Sequence, residues 1–234
     1  GKSDRDVDDL SKVYVKSFDE YVSDFAGFVN DIVKKETEKD KKIILYAHSM
    51  GGAIGALVLE KYPHLFDCAI LTSPMLKMRY NGMPELLVKF LKAYAALFPV
   101  GKKYVIGQKA FTGDREDDFG CCTCGARYEY IFKKRERNDR YHMNGASVGA
   151  MNAVKKLQKN AHKVDIPVLL MQADNDMVVD NKGQDKFAKA NKNVILIKIP
   201  NSKHEIYGSD YNTIKWYYDI IWKFLDKQIG GNLG

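Results

Sequence analysis

What is missing from this sequence narrows its function before any motif is read. No uninterrupted apolar run in the 234 residues approaches the roughly 20 that a membrane-spanning helix needs. The chain is therefore expected to be soluble, or at most bound to a surface. Its four cysteines, Cys68, Cys121, Cys122 and Cys124, are too few and too clustered for a disulfide framework. The last three look like a fragment of a metal site, but no second C-x-x-C pair or histidine spacing completes one. They read as reduced cysteines in a loop, with no metal. Internal repeats, low-complexity segments and nucleic-acid motifs are also absent. The net charge of +7 and pI near 9.0 favour anionic partners. The lysines, however, are scattered rather than grouped with stacking aromatics, which suits a solvated surface and argues against nucleic acid. An anionic membrane surface stays compatible with that charge. Gly1 rather than methionine opens the chain, with no targeting pattern behind it, which points to a processed or truncated start.

What is present is a hydrophobic fraction of 45% and a charged fraction of 29%, as in a globular domain. The length suffices for one sizeable α/β core with an insertion, or for two small domains. Residues 41–63, KKIILYAHSMGGAIGALVLEKYP, organise the rest. Ile43 to Ala47 form a short apolar run expected to be a strand buried on both faces of a parallel sheet. Gly51, Gly52, Ala53, Gly55 and Ala56 follow, small enough to let a helix start abruptly and pack close to that sheet. Ser49 stands at the corner. Such an elbow strains the serine backbone, lifts the hydroxyl clear, and aims the next N–H and the helix N-terminus at one point. The G-x-S-x-G signature reads here Ala47-His48-Ser49-Met50-Gly51, with alanine for the first glycine. A full match at Gly145-Ala146-Ser147-Val148-Gly149 follows polar residues 137–142 that could not be a buried strand, so Ser49 is preferred to Ser147. The competing interpretation of Ser49 is a helix N-cap in a glycine-rich turn.

Along the chain, residues 1–11 read as a polar loop, and residues 18–35 as an amphipathic helix behind the capping-box pattern Ser17-Phe18-Asp19-Glu20. Its apolar line is Phe18, Tyr21, Val22, Phe25, Val29, Ile32 and Val33. After the elbow helix, which Pro63 ends, residues 68–71 are the next strand. The alternation breaks between Met75 and about Lys163, a stretch expected to be a helical insertion. Within it, residues 84–98 are apolar on more than one face, and residues 133–137 are a basic run typical of a solvated helix face. Strands return at residues 167–173 and 193–200, separated by a helix at 181–190. A helix at 213–228 closes the chain. Helix and strand alternating in this way point to a parallel sheet.

Ser49, the acidic turn 174–180 and His204 each follow a strand, and catalytic groups of open α/β sheets gather outside the carboxyl ends of the strands. Serine, acid, histidine is also the chain order of the α/β-hydrolase triad. Position alone leaves Asp174, Asp176 and Asp180 open as the acid.

Three segments resemble the α/β-hydrolase branch that contains lysophospholipases and monoacylglycerol lipases, also described as serine aminopeptidase-like hydrolases. AHSMGGAI, from Ala47 to Ile54, is close to that family's elbow. Residues 173–179 follow its G-x-x-D-x-x-V acid motif with Ala173 for glycine, and His204-Glu205-Ile206 follows its H-E-hydrophobic segment. The resemblance assigns the acid to Asp176. It implies an α/β-hydrolase fold: a mostly parallel sheet flanked by helices, with residues 1–74 and 164–234 as core and 75–163 as a helical cap. It further implies a serine ester hydrolase for lysophospholipid or monoacylglycerol substrates, with Ser49 as nucleophile, His204 as base, Asp176 as its orienting acid and the Met50 N–H as oxyanion donor. A lipid or ester substrate is the expected partner, no cofactor is needed, and the expected setting is cytoplasmic or membrane-peripheral. One departure stands out. The opening GKSDR resembles the end of the family's G-H-G-x-S segment, and the strands and H-G-x-x-E loop that normally precede it are missing. The sheet is thus expected to lack its N-terminal part and one oxyanion donor, and to expose an edge beside the elbow strand. A small-ester carboxylesterase, an aminopeptidase-like hydrolase and an inactive hydrolase-like scaffold are the alternatives.

Overall fold

A buried backbone must satisfy its N–H and C=O groups internally, and the apolar runs of this chain do so by pairing with one another. Strands β2 (Ile44–His48), β3 (Cys68–Thr72), β5 (Val168–Ala173) and β6 (Val194–Ile199) form a parallel sheet in the order β2-β3-β5-β6. Ile44 pairs with Cys68, Ala69 with Val168 and Val168 with Val194, so the four carboxyl ends lie along one edge. The computed structural model describes residues 4, 6–79, 87, 90, 93, 101–106, 108–115, 119–150 and 163–230. Two compact units make up the chain, one comprising Gly1–Phe18, Tyr80–Gly120 and Gly125–Lys156, the other Asp19–Arg79, Cys121–Cys124 and Leu157–Gly234.

The second unit holds the four-stranded sheet. Every residue of β3 and β5 is buried, as expected of central parallel strands covered on both faces. On one face, Cys68, Ile70, Leu169 and Met171 pack with Tyr217, Ile221, Phe224 and Leu225 of the last helix, α5 (Tyr211–Ile229). Strand side chains alternate between faces, so Ala69 and Leu71 turn the other way, toward α2 (Ser49–Lys61). Helix α4 (Asn181–Ala190) joins β5 to β6. Helix α1 (Phe18–Phe28) continues through a π-helical turn at Val29–Val33 into Lys34–Glu36.

Two expectations need correcting. β2 is not buried on both faces, because it is an edge of the described sheet and leaves Tyr46 49% exposed. Along α1 and the π-helical turn after it the buried line is Val22, Ala26 and Val29, whereas Tyr21 and Ile32 face solvent. At about 100° per residue those two fall at the margin of the stripe centred on Val22 and Val29, where the helix surface meets solvent.

The first unit pairs β1 (Lys12–Val13) in parallel with β4 (Gly145–Ala146), a contact that the helical reading of the insertion did not foresee. Two residues per strand are too short to show a periodicity in sequence. Its helix α3 (Gly125–Glu136) buries Phe132 against Phe111 and Tyr128. The basic run ends this helix, and Arg135 folds back to donate to the carbonyls of Tyr141 and Met143 and to Asn144 Oδ1, so it ties down a turn rather than only facing water. The helix expected at 84–98 lies outside the described residues, apart from the helical positions Leu87, Phe90 and Ala93.

Close approach between α2 and its surroundings rests on Gly52 and Gly55. A Cβ on Gly52 would come within 2.8 Å of Pro74 Cβ, and one on Gly55 within 3.0 Å of Leu45 Cδ2. Gly51, read from sequence as part of the same packing surface, would place an added Cβ more than 4 Å from any group other than its own stretch of helix among the described residues. Gly52→Ala is therefore expected to lower stability by about 1–3 kcal/mol through overpacking. Gly51→Ala should be neutral, or raise stability by up to about 1 kcal/mol through its better helix propensity. Urea denaturation midpoints of the two variants check the contrast.

Candidate active site

At the carboxyl end of β2 the extended backbone of His48, with φ −119° and ψ 144°, passes straight into α2 through Ser49. Ser49 takes φ +53°, a left-handed conformation that a residue with a side chain rarely adopts. Holding it there costs about 1–3 kcal/mol, which the surrounding structure must offset. One restraint is the Ser49 carbonyl, which accepts from the Met75 N–H at 2.9 Å, just past the end of β3. Ser49 and Met50 also open the helix, so their N–H groups are among the first four that lack an intrahelical acceptor.

The acidic turn after β5 gives each of its three candidate carboxylates a separate task. Asp174 accepts from the N–H groups of Asn201 and Ser202 at 3.1 Å each. Asp180 caps α4 by accepting from the Lys182 N–H at 3.0 Å, and pairs with Lys77. Asp176, only 3% exposed, is the one aimed at the histidine. Its Oδ1 accepts from the N–H groups of Val178 and Val179 at 2.8 and 2.9 Å, which leaves Oδ2 for His204 Nδ1 at 2.7 Å. Arg79 donates to the Asp176 carbonyl at 2.6 Å and fixes the turn from another side.

His204 follows β6 through a loop that turns at Asn201, φ +54°, a conformation asparagine tolerates. The imidazole is 5% exposed, and its Nε2 lies 2.8 Å from Ser49 Oγ. An ionised carboxylate can only accept, so Nδ1 carries the proton toward Asp176 and Nε2 is left to accept from the Ser49 hydroxyl. The result is a hydroxyl hydrogen-bonded to a base that is itself oriented by a buried anion. Ser147, the rival serine, is buried in the other unit, where its Oγ accepts from the Ala150 N–H at 3.1 Å as a helix cap does.

Three neighbours of the site were not assigned a role from sequence. His48 Nδ1 lies 3.0 Å from the Thr72 carbonyl and 2.9 Å from its hydroxyl. The His48 ring sits 4.9 Å from that of His204 and meets the edge of Tyr207 at 5.4 Å. Burial, followed by repulsion from His204, lowers the His48 pKa to about 4, so it stays neutral when the site operates near pH 7. The histidine directly before the elbow serine was the available signal for this pair. Thr72 and Tyr207 carry no pattern of their own. Among the described residues, no group of three His, Cys, Asp or Glu could hold a metal ion.

Comparison with known proteins bears on this geometry. Residues 1–210 match the hydrolase family described as serine aminopeptidase, S33. The protein named "probable lysophospholipase L2" of Haemophilus influenzae is 26% identical over 223 residues, a match covering 93% of this chain and 69% of that protein. Mouse (Mus musculus) monoglyceride lipase is 25% identical over 173 residues, covering 69% of this chain and 52% of its own length. Among solved structures, a soluble variant of Saccharomyces cerevisiae monoglyceride lipase in complex with a substrate analogue aligns with a TM-score of 0.71 at 18% identity, over 92% of this chain and 71% of that one. At that identity the last likeness shows the α/β-hydrolase fold.

The lowered pKa of His48 makes a prediction about stability. The unfolded chain takes up this proton near pH 6.5, whereas the folded chain resists it down to about 4. Stability contributed by the neutral ring is therefore present above pH 6.5 and lost as pH falls from 6.5 toward 4, by at most about 3 kcal/mol. His48→Asn should remove this part of the acid sensitivity. The difference between the urea midpoints of the two chains, followed across that pH window, provides the check.

Proposed function

The chain belongs to the hydrolase family described as serine aminopeptidase, S33, and from that premise we propose that it cleaves lysophospholipid or monoacylglycerol acyl esters through an acyl-enzyme intermediate. The observation that carries this reading is the unbroken line of hydrogen bonds from Ser49 Oγ through His204 to Asp176, at 2.8 and 2.7 Å. Each member sits just past the carboxyl end of a different strand of one sheet. The names of the relatives support lipid esters as the substrate class.

Ser49 Oγ attacks the acyl carbonyl carbon as its proton passes to His204 Nε2. Asp176, fixed by two backbone N–H groups, holds the imidazole in place and stabilises the positive charge that develops on it. The carbonyl oxygen becomes an oxyanion, and the Met50 N–H at the start of α2 is the donor that would receive it, helped by the positive end of the helix. Collapse of the tetrahedral species breaks the bond to the alcohol, which leaves with the proton from His204. Water then attacks the acyl-serine by the same route in reverse and frees the fatty acid and Ser49. His48 stays neutral beside His204, so it adds no second positive charge to oppose the imidazolium. The net charge of +7 suits peripheral contact with an anionic membrane surface, and no described helix is long and apolar enough to cross one.

The family description favours one alternative, an aminopeptidase-like hydrolase acting on amides. Steady-state kinetics on a chain-length series of glycerol esters and lysophospholipids, set beside acetyl esters and amino-acid amides, separates the two. Medium or long acyl esters should exceed acetyl esters at least tenfold in kcat/KM, each buried methylene adding roughly 0.8 kcal/mol. Preference for acetate or for amides would remove the lipid assignment. On the best ester, Ser49→Ala and Asp176→Asn should each lower kcat by about 10⁴ or more while the fold is kept.

A further inference from the structure

Between Tyr80 and Lys156 only Cys121–Cys124 belongs to the unit that carries Ser49, Asp176 and His204. Its bonds show what it does there. The Glu205 N–H donates to the Cys121 carbonyl at 3.1 Å, and the N–H groups of Thr123 and Cys124 donate to the Gly208 carbonyl at 3.2 and 3.1 Å. The Cys122 thiol donates to Glu205 Oε2 at 3.2 Å. Cys122 is 2% exposed, and burial together with the Glu205 carboxylate pushes its pKa up to about 12, so at neutral pH it remains a thiol with a proton to give. Gly208 admits this strap, since a Cβ there would come within 2.6 Å of Cys122 Sγ. The peptide around His204 is thus restrained on both sides. Asp174 holds Asn201 and Ser202 before it, and the strap holds Glu205 and Gly208 after it.

Building on the triad reading above, we propose that Cys122 and Glu205 are positioning residues whose thiol–carboxylate bond locks this strap to the residue after His204 and keeps the imidazole in line with both Ser49 and Asp176. A thiol is a weak donor, and a carboxylate acceptor strengthens the bond it can make. Small displacements of a base cost rate steeply, because proton transfer needs hydrogen-bond distance. Neither residue touches substrate; both act through the backbone of the loop.

The test uses Cys122→Ala, Cys122→Ser, Glu205→Gln and the Cys122→Ala, Glu205→Gln double variant. Three readings are taken: kcat and KM on a monoacylglycerol, the low-field NMR resonance of the His204 Nδ1 proton, and the urea midpoint. Cys122→Ala should lower kcat roughly tenfold to a hundredfold with KM within about twofold, and should weaken or broaden the resonance in a chain that is still folded. Cys122→Ser, which keeps a donor, should recover most of both. The double variant should be little worse than Cys122→Ala alone, as expected of partners in one bond. Glu205→Gln keeps the side chain's size and serves if Cys122→Ala does not fold; kcat should drop at least about threefold, with the resonance shifted. The proposal is overturned by unchanged kcat and resonance in Cys122→Ala or Glu205→Gln, by a Cys122→Ser variant as impaired as Cys122→Ala, or by full additivity. The resonance needs no substrate. A chain without ester turnover would defeat the hydrolase reading while still reporting whether the strap orients His204.

Discussion

A single strained residue sets the terms for the rest of this structure. Ser49 sits at φ +53° where β2 turns into α2, and only a tightly determined surrounding can hold a serine there. That surrounding consists of the buried neighbouring strand β3, a helix brought close by Gly52 and Gly55, and the Met75 N–H bonded to the Ser49 carbonyl. In return the hydroxyl leaves the plane of the sheet beside the first N–H groups of α2, which have no intrahelical acceptor. Parallel pairing then does the remaining work, because it puts the loops after β5 and β6 at the same edge of the sheet as Ser49. Two residues far along the chain, Asp176 and His204, can reach the serine without any special connection.

Burial gives this arrangement its chemical character. Asp176 and His204 are almost fully withdrawn from water, and a buried carboxylate must find its hydrogen bonds within the protein. It finds three, two from backbone N–H groups and one from the imidazole. Those bonds fix the tautomer of His204, and the tautomer fixes the direction of the Ser49 hydroxyl. His48 packs against the imidazole, and the edge of Tyr207 backs His48 in turn. The neutral state of His48 follows from the same burial that protects its neighbour.

Much of this was legible in the sequence, for identifiable reasons. The central strands are continuous apolar runs because they are covered on both faces, and such runs stand out. Ser49 was marked by the strand, turn and helix around it, whereas Ser147 had the better pentapeptide and the wrong setting; in the structure it caps a helix. Position alone could not choose among Asp174, Asp176 and Asp180, since all three lie in one turn and each accepts a backbone N–H group, and the direction of the side chain separates them. The apolar run of β2 read alone pointed to burial on both faces, since a strand's own residues do not say whether it stands at an edge; the exposure of Tyr46 follows from its neighbours. The contact between residues 121–124 and the loop after His204 was equally hidden, since it joins segments more than eighty positions apart by backbone bonds and one thiol. Adjacent cysteines without a metal or disulfide pattern carry no sequence rule for such a role.

The central claim is that Ser49 is a nucleophile activated by His204, and covalent labelling with a fluorophosphonate, followed by intact mass and peptide mapping, tests it most directly. The account predicts one adduct per folded chain, located on the peptide containing Ser49 and absent from a Ser49→Ala chain. A folded chain that stays unlabelled, or one that carries the adduct on another residue such as Ser147, would contradict it.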